Sequence, residues 1–174
     1  FIFKKQYKIT GHILFVIIFL FFSTLHAKNL DKYYERENIA DYFSGILLLN
    51  QSKYIESYKY LKKLDGLEKS HSAFQSKYLY SLVNSEHFNQ AINYSKKMEK
   101  EQRDIFEGDL VIGLYYFKNS KFELSKKYFL KAKRRNSRSV LDYYIAETLY
   151  IWSDLRNKEI EKAKIRLNQL DSRF

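Results

Sequence analysis

The chain has 174 residues, 31 basic against 20 acidic, and contains neither cysteine nor proline. It can therefore form no disulfide and carry no lipid-modified cysteine, and its four histidines (His12, His26, His71, His87) lack metal-ligand spacing. Its five glycines are scattered singly, so no phosphate-cradling loop exists, and no serine lies in a Gly-x-Ser-x-Gly context. The sequence shows no carrier for catalysis, and neither metal nor cofactor is expected.

In chain order, Lys4, Lys5 and Lys8 precede an apolar run from Ile13 to Phe22, followed by Ser23-Thr24-Leu25-His26-Ala27. A basic start, a short apolar stretch and a small closing residue predict a secretory signal peptide over 1–27. The run falls short of the roughly 20 residues that span a bilayer. Cleavage after Ala27 is the expectation, and a retained inner-membrane anchor over residues 9–27 is the alternative, since Leu25 is an imperfect residue before the cut. Loss of the segment removes three lysines and takes the net charge from +11 to +8, with 28 basic and 20 acidic residues left. Richness in Lys, Asn, Ile, Tyr and Phe, with no proline where about 5 per cent is ordinary, reads as the codon bias of an AT-rich genome. That bias accounts for the basic balance better than an anionic partner does. A start at Phe1 and a stop at Phe174 inside a charged helical run read as a fragment.

A charged lead-in covers 28–37. Helix pairs are expected near 38–51 with 54–66, 72–85 with 88–101, and 106–119 with 122–135, with Gly66 and Asn136 as helix stops. The pairs keep a strict 34-residue step: Tyr54, Phe88 and Phe122 are aromatic, and Ser57, Ala91 and Ser125 are small. Leu48, Leu82 and Tyr116 are large and apolar at the same step. Each aromatic follows a short polar turn and is expected to plug the junction where the second helix starts. Gly45 and Gly113 fall where the two helices of a pair cross; a mid-helix glycine costs roughly 1 kcal/mol against alanine and so implies close packing. Leu79 takes that slot in the second pair. A degenerate fourth pair carries Ala146 and Leu149, then Ala163, Leu167 and Leu170. Its spacing is about five residues too long, so either the turn near Asp154–Lys158 is extended or the helices are longer.

The third pair reads Val111-Ile112-Gly113-Leu114-Tyr115-Tyr116, then Phe122, Ser125, Phe129 and Ala132. This resembles the tetratricopeptide repeat, a large apolar residue, Gly, two residues and Tyr followed by small-x₃-Phe. The pattern's leading Trp is replaced by Asp41, Gln75 and Asp109, and its closing Pro is missing everywhere. The resemblance implies an all-α fold, a right-handed α-solenoid of helix-turn-helix units near 38–71, 72–105, 106–138 and 139–171. It also implies a non-catalytic binding scaffold whose concave groove is lined by the first helix of each unit. The lining expected is Tyr42, Ile46, Leu49 and Asn50 in unit one, then Ala73, Lys77, Tyr80 and Val83 in unit two. Leu110, Leu114 and Phe117 complete it in unit three. These departures from the family's carboxylate-clamp subtype favour an apolar or amphipathic protein segment as partner; the competing reading makes part of the set core.

The expectation is an adaptor in the periplasm of a Gram-negative bacterium. Two alternatives stand beside it. One is the repeat region of a larger envelope enzyme or polymer-handling protein. The other is a membrane-associated scaffold using the N-terminal helix and the basic cluster Lys131, Lys133, Arg134, Arg135 and Arg138. That cluster reads first as a complement to a helix dipole and second as a patch for phosphate or anionic headgroups. Nucleic-acid binding conflicts with export and is not expected. The oligomeric state is left open.

Overall fold

The computed structural model describes residues 36–135 and 139–171. The signal or anchor segment, all but the last two residues of the lead-in, and Asn136 and Arg138 lie outside the described residues. The described chain is all-α, with eight consecutive helices: α1 (Arg36–Asn50), α2 (Tyr54–Leu61), α3 (Ser72–Asn84), α4 (Phe88–Lys100), α5 (Phe106–Lys118), α6 (Phe122–Arg134), α7 (Val140–Arg156) and α8 (Ile160–Asp171). Each packs on the next, and α3 also touches α5 across the intervening helix. No strand occurs among the described residues, and no described helix is long and apolar enough to cross a membrane.

The step seen in the sequence recurs in the elements. Helices α2, α4 and α6 start at Tyr54, Phe88 and Phe122, and α3, α5 and α7 start at Ser72, Phe106 and Val140, each set 34 residues apart. The register breaks inside α7, which has 17 residues where α3 and α5 have 13. Four residues are close to one helical turn, so the fourth pair gains a turn of helix, not a longer loop. Counted back from their common turn, Ile151, Trp152 and Leu155 therefore match Gly113, Leu114 and Phe117.

Helix ends are built to one plan. After α1, α3, α4, α5 and α7, a single residue takes a left-handed conformation: Ser52, Glu86, Gln102, Ser120 and Lys158. In each case the following N–H returns to a carbonyl five residues back, as in Lys53 N–H to Leu48 O (2.9 Å) and Lys121 N–H to Tyr116 O (2.9 Å). These are Schellman caps, here formed without glycine. Gly66, the expected stop after α2, is also left-handed, at φ 101°.

Where the two helices of a pair cross, size is complementary. A Cβ at Gly45 would lie 2.5 Å from Leu61 Cδ2, and one at Gly113 would strike the Phe129 ring. The hydroxyls of Ser57 and Ser125 donate to the carbonyls of Gly45 (2.8 Å) and Gly113 (3.0 Å). Pair two exchanges the roles: Leu79 fills the glycine slot, Ser95 stands where Leu61 and Phe129 stand, and Ala91 replaces the serine. All of these side chains are buried, as is Ala132. Tyr116, half-buried, stacks on Tyr128 at 5.6 Å. The expected junction plugs divide. Tyr54 meets Tyr80 edge-on at 5.8 Å and Phe122 meets Phe117 at 5.6 Å. Phe88 instead remains 56% exposed, because its register counterparts are the aliphatic Leu114 and Val83, which offer no ring to meet.

Ion pairs follow the same register. Asp109, fully buried, lies 3.3 Å from Lys131 and also pairs with Arg135. Two units earlier, Lys63 pairs with Asp41 at 3.1 Å in the same register. A second repeated contact joins successive units: Lys97 to Asp65 (3.2 Å), then Lys131 to Glu99 (2.8 Å). Lys133 adds a 2.6 Å pair with Glu147. Three members of the basic cluster thus neutralise acids of neighbouring helices, a third answer besides the dipole and the docking patch.

Candidate partner-binding groove

Among the first helices, α3 and α5 come into contact. Between α3 and α5 lies a cleft of about 480 Å³ whose walls include Lys77, Tyr80 and Val83 from α3 and Leu110 and Leu114 from α5. Helix periodicity brings them together. Residues 76, 77, 80, 83 and 84 share one face at spacings of three and four, and 107, 110, 111 and 114 do the same on the facing helix. Tyr80 is 50% exposed and Leu114 45%, while Lys77 is also exposed. The lining is mostly apolar, and two charges, Lys77 and Glu107, mark opposite walls. An apolar cleft with few polar groups suits a partner's apolar side chains.

The remaining expected lining residues fall elsewhere. Tyr42 and Ile46, on α1, pack against the core cluster of Leu49, Leu61, Leu64 and Phe74, with Tyr42 lying 5.1 Å from the His71 ring. Leu49 is 7% exposed and belongs to that core, not to a groove surface. Asn50 is exposed at the end of α1, and Ala73 is exposed at the start of α3 outside the cleft walls. Phe117 is half-buried against Phe122 and likewise does not line the cleft.

Ser76, Leu79, Asn84, Glu107 and Val111 line the cleft and were not among the expected groove residues. A strict count at positions three and four from Leu110 and Tyr80 would have included Glu107 and Asn84. Trp152 is 54% exposed and occupies on α7 the register position that Tyr80 and Leu114 hold on α3 and α5. The one-turn insertion in α7 hid it from a fixed 34-residue step.

Burial pushes the Tyr78 phenol up to about 12, and the nearby Tyr58, Asp65 and Glu68 add to the effect. Burial also raises Tyr94. His87 lies 4.3 Å from the Tyr58 ring, and its Nδ1 is 2.8 Å from the Ser85 hydroxyl. Among the described residues no group of three or more His, Cys, Asp or Glu side chains could hold a metal ion. Such a surface can hold a partner by shape and apolar contact. No family model matches this chain, and no curated protein matches it either.

Proposed function

We propose that the chain is a non-catalytic adaptor of the bacterial cell envelope. In this reading it is a right-handed tetratricopeptide-like solenoid that grips an apolar or amphipathic segment of another protein along its first helices. The observation that carries it is the apolar α3–α5 cleft with Tyr80 and Leu114 half-exposed on its walls. A soluble surface that leaves large apolar side chains in line is a liability unless a partner covers them. Lys77 and Glu107, on opposite walls, favour a segment that carries one charge of each sign beside its apolar face. Export to the periplasm rests on the sequence of residues 1–27.

Co-purification from an envelope extract tests the proposal, with the native chain beside Tyr80→Ala/Leu114→Ala. Leu114 is the better second site than Phe117, whose ring packs on Phe122. Both replaced side chains are half-exposed, so helicity by circular dichroism should be unchanged. The proposal expects a protein retained by the native chain and lost by the variant. Equal retention by both would contradict it.

A further inference from the structure

Lys77 and Glu107 stand on facing walls of the α3–α5 cleft, both exposed, and within the described residues neither is engaged in an ion pair. On the 34-residue step Glu107 corresponds to Ala73, four residues before Lys77. Both charges therefore lie toward the starts of α3 and α5, about one helical turn apart along the cleft. Past them the lining turns apolar, with Leu79, Tyr80 and Val83 on one wall and Leu110, Val111 and Leu114 on the other. From Ser76 to Asn84 the α3 wall is about 12 Å long at 1.5 Å per residue, a little over two turns.

An occupant pressed on these walls has to satisfy its own backbone. Along the apolar stretch the wall backbone is already paired inside α3 and α5, and the Asn84 amide donates to the Tyr80 carbonyl at 2.9 Å. An extended segment would set N–H and C=O groups against apolar side chains, a penalty comparable to a lost hydrogen bond for each. A helix pairs these groups internally and presents apolar residues at spacings of three and four. Charge then decides how the helix lies. One that carries an acid on one flank and a base on the other meets Lys77 and Glu107 with opposite charges in a single direction. Reversed end for end, it turns its acid toward the α5 wall and its base toward the α3 wall, so both contacts are lost or become repulsive.

We infer that Lys77 and Glu107 set the direction in which a two-turn amphipathic helix of a partner protein lies between α3 and α5. The acid of that helix sits against Lys77 and its base against Glu107. The inference rests on the adaptor reading and adds to it the form, length and orientation of the segment.

Selection from a display library of random peptides of about 14 residues, roughly four helical turns, tests it. The baits are the native chain, the charge exchange Lys77→Glu/Glu107→Lys, and Tyr80→Ala/Leu114→Ala, each checked for native helicity by circular dichroism. Only peptides that the third bait fails to retain are counted, because it lacks the apolar anchors. The native chain should select peptides with apolar residues at helical spacing, an acid on one flank and a base on the other. The exchanged bait should select the flanks reversed. Each set should bind its own bait about tenfold more tightly than the exchanged one, a difference that shrinks in molar salt. Apolar residues in strict alternation would show an extended occupant, and helical peptides that bind both baits alike would show that the two charges set no direction. Either result overturns the inference and leaves the cleft reading standing. No selected peptide, or only peptides that the third bait retains equally, would remove the cleft reading and this inference with it.

Discussion

Pairs two and three differ at the helix crossing, and the difference explains how a repeat tolerates sequence drift. Pair three places Gly113 under the Phe129 ring, with Ser125 donating to the glycine carbonyl. Pair two places Leu79 at the glycine position, Ser95 at the ring position and Ala91 at the serine position, all buried. The volume between the helices is kept while its donor moves from one helix to the other. Interiors are close-packed, so the three positions have to change together. A motif scored position by position sees three departures, whereas the packing sees one exchange.

The largest effect that separates the two pairs is loss of the ring. Phe129→Ala should cost about 3–5 kcal/mol, whereas Ser95→Ala at the equivalent position should cost about 1 kcal/mol or less. Urea denaturation of both variants measures this, and equal losses would contradict the exchange of packing volume between the pairs. Next comes Gly113→Ala, whose added methyl meets a fully buried ring. Overpacking of this kind costs about 1–3 kcal/mol, seen as a lower denaturation midpoint at unchanged slope.

Charge distinguishes the pairs as well. Asp109 in pair three corresponds to the uncharged Gln75 in pair two. Burial pushes the Asp109 carboxyl up to about 6 against the pull of Lys131, with Glu99 adding to the rise. An acid raised in the folded state stabilises it below its ordinary value of 3.8 and loses that contribution as pH climbs through about 6. The stability of the native chain relative to Asp109→Asn should therefore fall between pH 4 and pH 6. Denaturation midpoints of both at three pH values give the gap, and a constant gap would contradict the assignment. The smallest effect lies in the turns. Glu86 holds a left-handed conformation that disfavours ordinary residues by about 1–2 kcal/mol, partly offset by glycine's greater entropy loss on folding. Glu86→Gly should raise the melting temperature by an amount corresponding to roughly 0.5–1 kcal/mol.

The all-helical class and the 34-residue register were legible in the sequence because they depend on local spacing. The starts of α2, α4 and α6 at Tyr54, Phe88 and Phe122 match the aromatic step. Four features were not legible, each for a physical reason. Phe88 remains exposed where Tyr54 and Phe122 meet rings, because the positions equivalent to Tyr80 and Phe117 hold the aliphatic Leu114 and Val83. Lys131 and Arg135 read as a surface cluster because their acids, Glu99, Asp104 and Asp109, lie 22 to 32 residues earlier in the chain. Leu49 sits on a groove-facing helix but turns into the core. Trp152 was displaced from the 34-residue step by one extra turn in α7. Among the expected lining residues, Lys77, Tyr80, Val83, Leu110 and Leu114 come together, because adjacent first helices in register set equivalent faces side by side.

The central claim is that successive pairs are one structural unit with interchangeable packing solutions. Its most direct test transplants the solution of pair two into pair three: Gly113→Leu, Ser125→Ala and Phe129→Ser together, beside each change alone. Residues in contact commonly couple by about 0.5–3 kcal/mol. The account predicts that the triple variant melts cooperatively and at a higher temperature than Gly113→Leu alone, losing less stability than the three separate losses combined. A triple variant that melts below Gly113→Leu, or whose loss equals the sum, would show that the pairs share a period but not a packing unit.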